Sequence, residues 1–382
     1  MNILIDTTSL TKGGGQKVGW NFVNCIMEHP IEEHNFSFFC AKGSKIHDCL
    51  IQNNVSNIYT SPPSALKRIL WQKVIAPREL KKLKPDVIYQ IFGYSAYPKK
   101  YCQVCGEADS NLFFPEVDFW CELPKWKKIF KKWKDLYRIQ MLKRADGVVF
   151  ENQAMLNRCS KLFPKVFQRS CFIKPSINKV FSGSMHDTNE QSNSLNSAPS
   201  VLMLCSWQPN KNYSIMPAVI KILKDRNYPI HFRFSVSADD TCEEAIKFRK
   251  QLKDCSVEEY VDFLGPVSPE KIAAAYSKSD AILLLSKLES FSNNIIEAWT
   301  YRRPIIVSDM EWSHAIIGEA GYYVNRDNPE DIADAIQKVC SDNKTRSTLV
   351  HCGIDQLKTY PDISQHVHAV ISFLCDIKQK TA

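Results

Sequence analysis

Two glutamates stand at the ends of the stretch ESFSNNIIE, residues 289–297. Ionised carboxylates accept hydrogen bonds, so Glu289 and Glu297 can together hold the hydroxyl groups of a ligand. We expect Glu289 on the loop after the apolar run AILLLS, and Glu297 in the first turn of the helix that follows. Asn293 or Asn294 can cap this helix. The spacing of Asn294 and Glu297 also fits a capping box, in which Glu297 only stabilises the helix end.

Three glycines follow the first apolar run, NILID, at residues 13–15. Glycine lets the backbone approach a sugar or a phosphate closely, so Gly14 and Gly15 are candidate ligand-binding positions. The dinucleotide pattern G-x-G-x-x-G is absent, because Lys17 and Val18 occupy its later positions. A flexible surface turn is the alternative interpretation.

Apolar runs alternate with helical patterns through most of the chain, which predicts parallel sheets covered by helices. A stretch rich in Ser and Asn, with almost no large apolar residue, is typical of a linker. We therefore expect an α/β protein with two doubly wound domains. The predicted boundaries are 1–180, a linker at 181–200, 201–359, and a C-terminal helix at about 360–382 that crosses back to the first domain. Ligands of such sheets bind at the carboxyl ends of the strands, so the site is expected in a cleft between the domains.

Three motifs follow one another in the second half: D-x-x-L-L-x-S-x-x-E-S-F, E-A-W-T-Y-R-R-P-I-I-V-S-D and G-Y-Y-V-N-R-D-N-P-E-D-I-A-D-A-I. In order and spacing they resemble the second domain of family 4 glycosyltransferases, which have the GT-B fold of two Rossmann-like domains. Glu289 and Glu297 match the E-x7-E motif of that family. The first domain resembles the family only in its glycine loop, in KPDVIY and in RADGVVFENQ.

The resemblance assigns roles to these residues by position. Glu297 would accept hydrogen bonds from the ribose of a nucleotide sugar, and Glu289 would contact hydroxyls of the donor sugar near its anomeric carbon. Ser290 and Ser292 replace glycines that are common in the family, which implies a tighter or differently shaped loop. The backbone NH groups expected to face the diphosphate or the sugar, at a helix start, are those of Phe291, Ser292 and Asn293.

The turn SWQPNKNY carries Lys211 and Asn212 where the family has a lysine and an asparagine. In the family, this lysine and an arginine both act on the leaving diphosphate, but Ser206 stands at the arginine position here. A preorganised donor of this kind contributes about 3 to 4 kcal/mol to catalysis, so its loss is a serious departure. The candidates for a replacement are Lys287, Arg302 and Arg303.

The segment GEADSNLFFPE follows the apolar run YCQVC, near the place where many relatives carry polar groups for the acceptor. Asp109 and Asn111 are the acceptor-side candidates and Glu107 is the next, although each of them can equally cap a turn. Cys102 and Cys105 form a single CxxC without a second pair at a zinc-ligand spacing. We interpret them as reduced core cysteines.

The net charge of +8 is concentrated in one segment, because Lys125–Arg144 holds nine basic residues and one acidic residue. Its apolar residues recur at helical spacing: Trp126, Ile129, Phe130, Trp133, Leu136, Tyr137 and Met141. Such a stripe normally faces a protein core, which explains the aromatic residues but not the lysines. We expect the basic helix 124–144 to contact an anionic membrane surface. Nucleic acid is the less favoured partner, since no known binding motif accompanies the helix.

The resemblance implies a retaining glycosyltransferase that moves a sugar from a nucleotide-diphosphate donor to a hydroxyl of a glycan or lipid-linked acceptor, in cell-surface polysaccharide assembly such as O-antigen or capsule. No Asp-x-Asp motif is present, so neither a metal nor another cofactor is expected. The apolar runs are too short to span a membrane and no signal peptide is recognisable, which predicts a cytoplasmic, peripheral membrane protein. The alternatives are an inactive nucleotide-sugar-binding subunit, supported by Ser206, and a nucleotide-sugar epimerase on the same scaffold. Base, sugar and acceptor are left open.

Overall fold

The computed structural model describes residues 1–118, 123–177 and 198–381. The chain divides into two units, Met1–Asn178 with Pro361–Ala382, and Lys179–Tyr360. Each unit is built around one parallel sheet with helices in the connections, so the predicted α/β class with two doubly wound domains is confirmed. The predicted linker lies outside the described residues up to residue 197.

The first unit holds a sheet of seven strands within the described residues, in the order β3-β2-β1-β4-β5-β6-β7. The strands are Asn2–Asp6 (β1), Asn35–Ala41 (β2), Ile58–Ser61 (β3), Val87–Gln90 (β4), Cys102–Glu107 (β5), Gly147–Phe150 (β6) and Ser170–Phe172 (β7). Its helices are Gly13–Glu28 (α1), Lys45–Gln52 (α2), Ala65–Val74 (α3), Ala76–Leu83 (α4), Lys125–Arg144 (α5), Gln153–Leu162 (α6) and Pro164–Phe167 (α7), with a 3₁₀ turn at Ser110–Leu112.

The second unit holds a sheet of six strands in the described part of the chain, in the order β10-β9-β8-β11-β12-β13. The strands are Ser200–Met203 (β8), His231–Phe234 (β9), Val261–Phe263 (β10), Ala281–Leu284 (β11), Ile305–Ser308 (β12) and Tyr322–Val324 (β13). Its helices are Met216–Asp225 (α8), Glu243–Asp254 (α9), Pro269–Ser277 (α10), Asn293–Thr300 (α11), Glu311–Ile317 (α12), Pro329–Ser341 (α13) and Asn343–Lys358 (α14). The 3₁₀ turns are Pro209–Lys211, Tyr213–Ile215, Glu258–Tyr260 and Gly318–Ala320.

The C-terminal helix, Ile363–Thr381 (α15), packs in the first unit against α1 and strands β4, β5 and β6. The apolar residues of α15 pack in one core with Ile3, Ile5 and Phe38, on one side of the sheet. A Cβ atom at Gly147 of β6 would lie 2.9 Å from Cγ1 of Ile377. Glycine at this position therefore allows the helix to lie close to the sheet.

The structure bears out some local features of the sequence and not others. The Asn328 side chain accepts a hydrogen bond from the Glu330 backbone NH at the start of α13. The glycine run does not form a separate loop, because α1 begins at Gly13, which has a φ of +70°. Cys102 and Cys105 are free and buried, which confirms their interpretation as core residues.

The basic helix α5 is buried only near its end, at Met141 and Leu142. The other apolar residues of the predicted stripe are exposed, with Trp126 at 68% and Trp133 at 70%. The interpretation as a core stripe is therefore wrong for the greater part of this helix, because no element in the described ranges covers it. Of the helices that the structure describes, none is both long and apolar enough to cross a membrane.

Candidate functional site

In the sheet of the second unit, the direction in which successive connections run changes at one place, between β8 and β11. From β8 the chain continues to β9 and β10 on one side, and from β11 to β12 and β13 on the other. The loops at the carboxyl ends of β8 and β11 therefore separate from each other, and such a topological switch point is where open α/β sheets bind ligands. Lys211 follows β8, and Glu289 follows β11.

Lys211 and Glu289 form an ion pair at this switch point, with 2.5 Å between Lys211 Nζ and Glu289 Oε1. Ser286 Oγ, which is buried, donates to the same carboxylate oxygen at 2.7 Å. The side chains of Lys211 and Glu289 are 20% and 14% exposed. Charges act more strongly where water is partly excluded, so the pair presents an oriented cation and an oriented anion to any ligand at this edge.

Hydrogen bonds from Asn210 hold the two loops together beside the ion pair. Its side-chain amide donates to the Leu288 carbonyl at 2.8 Å, and its side-chain oxygen accepts from the Leu288 NH at 3.1 Å. The Asn212 side chain donates to the carbonyl of Arg326, on the loop after β13, at 2.8 Å. Asn212 has a φ of +55°, in the left-handed region that asparagine tolerates better than most residues. Both chain neighbours of Lys211, Asn210 and Asn212, are thus held by hydrogen bonds to other loops, which restricts the position of Lys211.

Glu297 lies in the second turn of α11, so its predicted place in the first turn is wrong. The helix begins at Asn293 after Ser292, which is the N-cap residue instead of Asn293 or Asn294. Asn294 is the second residue of the helix, which excludes the capping-box interpretation, and its side chain donates to the Leu204 carbonyl at 3.0 Å. Glu297 is buried and accepts a hydrogen bond of 3.1 Å from the hydroxyl of Tyr276.

Tyr276 fixes the orientation of the Glu297 carboxylate. Its ring stacks on that of Tyr301, with 5.1 Å between the centroids. Burial, together with the neighbouring Glu297 carboxylate, raises the pKa of Tyr276 well above its usual value, so the hydroxyl stays protonated and remains a donor. Sequence reasoning missed Tyr276, because it stands 21 residues before Glu297 on another helix.

The remaining predicted residues of this site lie around the start of α11 and on the loop after β8. Ser292 is buried, Ser290 and Phe291 are partly buried, and Asn293 and Ser206 are exposed. The first turn of α11 contains no acidic residue, and Ser292 makes no side-chain cap. The Ile295 NH donates to the Ser292 carbonyl, so the Asn293 and Asn294 NH groups are those left to a ligand or to water.

Two of the candidate replacements for the missing arginine lie at the wrong edge of the sheet. Arg303 precedes β12 and donates to the Ser277 carbonyl, at the end of the helix that leads into β11, at 2.9 Å. Arg302 is its neighbour. Lys287 is on the loop after β11, at the correct edge.

Arg326, which sequence reasoning missed, lies at the same carboxyl edge. Its Nη1 donates to the Lys287 carbonyl at 3.2 Å, and its side chain is 14% exposed. The only signal in the sequence was its position two residues after the end of the apolar run GYYV.

In the first unit, Asp109 and Asn111 are tied to α5. Asp109 and Asp135 each pair with Arg138 at 3.1 Å, and the Asn111 amide donates to Asp135 at 3.0 Å. Glu107, at the carboxyl end of β5, is the more unusual of the acceptor-side candidates. Its Oε1 accepts from the Asp109 NH at 2.7 Å, while its buried Oε2 has no partner among the described residues. Burial raises the pKa of Glu107 to about 7.

The raised pKa of Glu107 predicts a dependence of stability on pH. Between its usual value of 4.5 and about 7, the folded chain holds this proton more tightly than the unfolded chain. The free energy of unfolding therefore falls as the pH rises through that range, by about 1.4 kcal/mol per unit of pKa shift. In Glu107→Gln this contribution, about 3 kcal/mol at most, disappears. Urea unfolding of both proteins at several pH values measures it, and parallel pH curves for the two proteins would contradict it.

The loop before the glycine run is anchored by a buried carboxylate at the end of β1. Asp6 accepts hydrogen bonds from the Thr8 NH at 2.9 Å and from the Tyr97 hydroxyl at 2.7 Å. Gly14 is exposed, and a Cβ atom there would meet nothing within 4 Å, whereas at Gly15 it would lie 3.3 Å from Leu10. Ligand binding by Gly14 and Gly15 stays a prediction.

Within the described ranges, no group of three or more His, Cys, Asp or Glu side chains is arranged to hold a metal ion.

The second unit matches known proteins in sequence. Residues 198–342, which include Lys211, Glu289 and Glu297, match the family model described as "Glycosyl transferases group 1". The serotype-specific mannosyltransferase WbdA of Escherichia coli is 28% identical over 145 residues, which are 37% of this chain and 17% of that protein. The O-antigen chain mannosyltransferase RfbU of Salmonella typhimurium is 30% identical over 95 residues, which are 25% of this chain and 27% of that protein. The chain thus spans well under two thirds of these relatives.

Solved structures match nearly the whole chain. A glycosyltransferase from Rickettsia africae has a TM-score of 0.72 at 14% identity and covers 98% of both chains. Alr3699/HepE of Anabaena, in complex with UDP and glucose, has a TM-score of 0.68 at 14% identity, over 98% of this chain and 100% of that chain. These likenesses confirm the predicted GT-B fold.

Proposed function

We propose that this chain is a glycosyltransferase that moves a sugar from a nucleotide-diphosphate donor to a hydroxyl of a glycan or lipid-linked acceptor. The observation that carries the proposal is the ion pair of Lys211 and Glu289 at the switch point of the second unit. It lies in the segment that matches glycosyl transferases group 1. The mannosyltransferases among the relatives support a role in O-antigen or capsule assembly.

Donor binding is assigned to the second unit. The carboxylate of Glu297, oriented by the Tyr276 hydroxyl, accepts hydrogen bonds from the ribose, and the first NH groups of α11 face the diphosphate. Lys211 exchanges part of its contact with Glu289 for a phosphate oxygen, which leaves Glu289 free to accept from a sugar hydroxyl. Asn212 positions Lys211 through its bond to the Arg326 carbonyl.

The transfer is proposed to retain the anomeric configuration. The acceptor oxygen bonds to the anomeric carbon while the bond from that carbon to the diphosphate breaks, and the acceptor proton passes to the departing phosphate oxygen. Lys211 stabilises the charge that develops on the phosphate. The anomeric proton coupling in the first product formed, measured by NMR, tests retention, and an inverted product would contradict it.

No metal and no cofactor is needed in this scheme, because Lys211 and the start of α11 supply the positive charge. Turnover should therefore be the same with and without EDTA. A loss of turnover that added magnesium or manganese restores would contradict this part of the proposal.

Donor identity is open, and a screen of GDP, UDP and dTDP sugars by thermal unfolding addresses it. A ligand at about 100 times its dissociation constant adds about 2.7 kcal/mol to stability, which is easily measured. The exposed Ser206 at the arginine position also favours a second candidate function, an inactive donor-binding subunit. Donor stabilisation without any release of nucleoside diphosphate, over a range of lipid-linked and glycan acceptors, would favour that alternative.

A change at Glu297 should weaken nucleotide binding more than turnover. Glu297→Gln removes a charged acceptor, and hydrogen bonds to charged groups contribute about 1.5–3 kcal/mol, so we expect the Kd for the nucleoside diphosphate to rise about 10-fold to 150-fold. Tyr276→Phe removes only the orienting hydroxyl and should raise this Kd a few-fold. Calorimetric titration measures both. An unchanged Kd in Glu297→Gln would show that Glu297 does not contact the nucleotide.

Helix α5 is proposed to hold the enzyme on the inner face of the cytoplasmic membrane, where a lipid-linked acceptor is found. The exposed Trp126 and Trp133 suit the interface between headgroups and acyl chains. Each of its basic residues contributes about 1 kcal/mol near an anionic leaflet.

A further inference from the structure

Helix α3, Ala65–Val74, repeats the unusual surface of α5 elsewhere in the first unit. Leu66 is 81% exposed and Leu70 is 64% exposed. Exposed apolar side chains continue along the same helix and just beyond it: Ile69, Val74 and Ile75. The opposite side of the helix is anchored by the buried Trp71, whose ring lies 5.1 Å from that of Phe39. The exposed apolar side chains therefore belong to a helix whose other side is packed in the core.

The charge of α3 also resembles that of α5. Lys67, Arg68 and Lys73 are basic, and α3 contains no acidic residue. Arg68 Nη1 donates to the Thr8 carbonyl at 3.2 Å, so one of these cations also ties α3 to the loop after β1. Exposed leucines surrounded by lysines and arginines are typical of helices that lie in the surface of an anionic membrane.

The packing of β1 and β2 places α3 on a particular face of the sheet. Successive residues of a strand point to opposite faces. Ile3, Ile5 and Phe38 pack in the core that α1 and α15 cover. Leu4 and Phe39 point the other way and pack in a separate cluster with Trp71 of α3. Helix α3 is therefore on the opposite face from α1 and α15.

The handedness of the connections places α5 on the same face as α3. Parallel strands are joined by right-handed crossovers. The connection from β1 to β2 through α1 and the connection from β5 to β6 through α5 run in opposite directions along the sheet, so α1 and α5 lie on opposite faces. The α1 side of β5 and β6 is, moreover, occupied by α15. The exposed apolar residues of α3 and α5 thus belong to one face of one sheet.

We infer that α3 is a second membrane-inserting helix, and that α3 and α5 bind an anionic lipid surface together. This inference rests on the proposed membrane contact of α5 and extends it to α3, but it does not depend on the chemistry at Lys211. Two weak contacts on one rigid body bind far more tightly than either alone, because the second forms at a high effective concentration. The attached protein also has a defined orientation, since two helices fix a plane.

Lipid fits this face better than two other partners. A second copy of the chain would bring a helix with nine basic residues and one acidic residue against its own like charge. Nucleic acid has the right charge, but Leu66, Ile69, Leu70 and Val74 neither stack on bases nor donate hydrogen bonds. In an anionic bilayer, the headgroups attract the lysines and the acyl chains take up the aliphatic side chains.

Sedimentation with vesicles of phosphatidylcholine, with and without phosphatidylglycerol, tests the inference. Wild type should bind the anionic vesicles, and less so as salt is raised. Leu66→Gln with Leu70→Gln keeps the charge and should lower the partition coefficient at least about 10-fold, as expected for two leucines that no longer leave water. Ile246→Gln, at an exposed apolar position of α9 in the second unit, is the matched control and should bind like wild type.

A second variant, Trp126→Gln with Trp133→Gln, separates the outcomes. If it loses vesicle binding and the leucine variant does not, the contact of α5 stands and the inference about α3 is overturned. If wild type binds no vesicles, or prefers an oligonucleotide, or if the leucine variant only converts a dimer to a monomer, the inference is also overturned. Nucleoside diphosphate binding should be equal in all these proteins, and this equality shows that the donor site is intact.

Discussion

Lys211→Met should lower kcat about 100-fold to 1,000-fold. Removal of one donor that stabilises developing negative charge typically costs about 2.7–4 kcal/mol. The upper part of this range is expected here, because Ser206 offers no second cation on the same loop. Affinity for the nucleoside diphosphate should fall as well, since the lysine contacts the phosphates before and after transfer. Initial rates and calorimetric titration measure the two effects.

The control for this substitution is Lys278→Met, an exposed lysine at the end of α10 that precedes β11 and is therefore at the opposite edge of the sheet. Lys278→Met should leave both kcat and the affinity for nucleoside diphosphate unchanged. The Lys211→Met protein also needs a check of stability, because Glu289 loses its partner. Full turnover in a folded Lys211→Met protein would remove Lys211 from the mechanism.

Glu289→Gln should separate turnover from nucleotide binding. The amide still accepts from Ser286, but it no longer draws Lys211 to itself, so affinity for the nucleoside diphosphate should be equal to that of wild type or higher. Turnover should fall about 10-fold to 150-fold, the effect of losing a hydrogen bond from a sugar hydroxyl to a charged group. The kcat of each variant and the Kd for nucleoside diphosphate with and without the sugar provide the comparison.

Opposite effects on the affinity for nucleoside diphosphate distinguish the role of Lys211 from that of Glu289. If Glu289→Gln keeps full turnover, then Glu289 is only the counter-ion of Lys211. If it loses nucleotide affinity to the same extent as Lys211→Met, the pair acts as one structural unit and Glu289 has no separate contact with the sugar.

The sequence predicted the two sheets because buried parallel strands appear as apolar runs, and these runs stand at nearly the places where β1 and β8 begin. The family resemblance assigned Lys211 and Glu289 to one site, and the structure places them on the loops after β8 and β11, which are neighbours in the sheet. Their hydrogen bonds could not be read in the same way. The two bonds of Asn210 to Leu288 depend on the shapes of both loops at once.

Periodicity also did not reveal which helices would be covered. The stripe of α5 shows that one side of the helix is apolar, but its burial depends on whether another element packs there, and none does from Trp126 to Tyr137 among the described residues. The same holds for α3, whose exposed leucines sit in a sequence that reads as an ordinary amphipathic helix. Arg302 and Arg303 were misplaced because nearness in sequence does not distinguish the two ends of a strand.

The attachment of α15 to the first unit has a consequence for synthesis of the chain. On a ribosome the residues of α1, β1 and β2 emerge long before α15, yet the core they share with Val370, Ile371 and Leu374 closes only when this last helix arrives. The second unit contains all of its own strands and can fold earlier. We therefore expect the second unit to mature first, which reverses the usual order, and expect the core of the first unit to be prone to aggregation until α15 joins it.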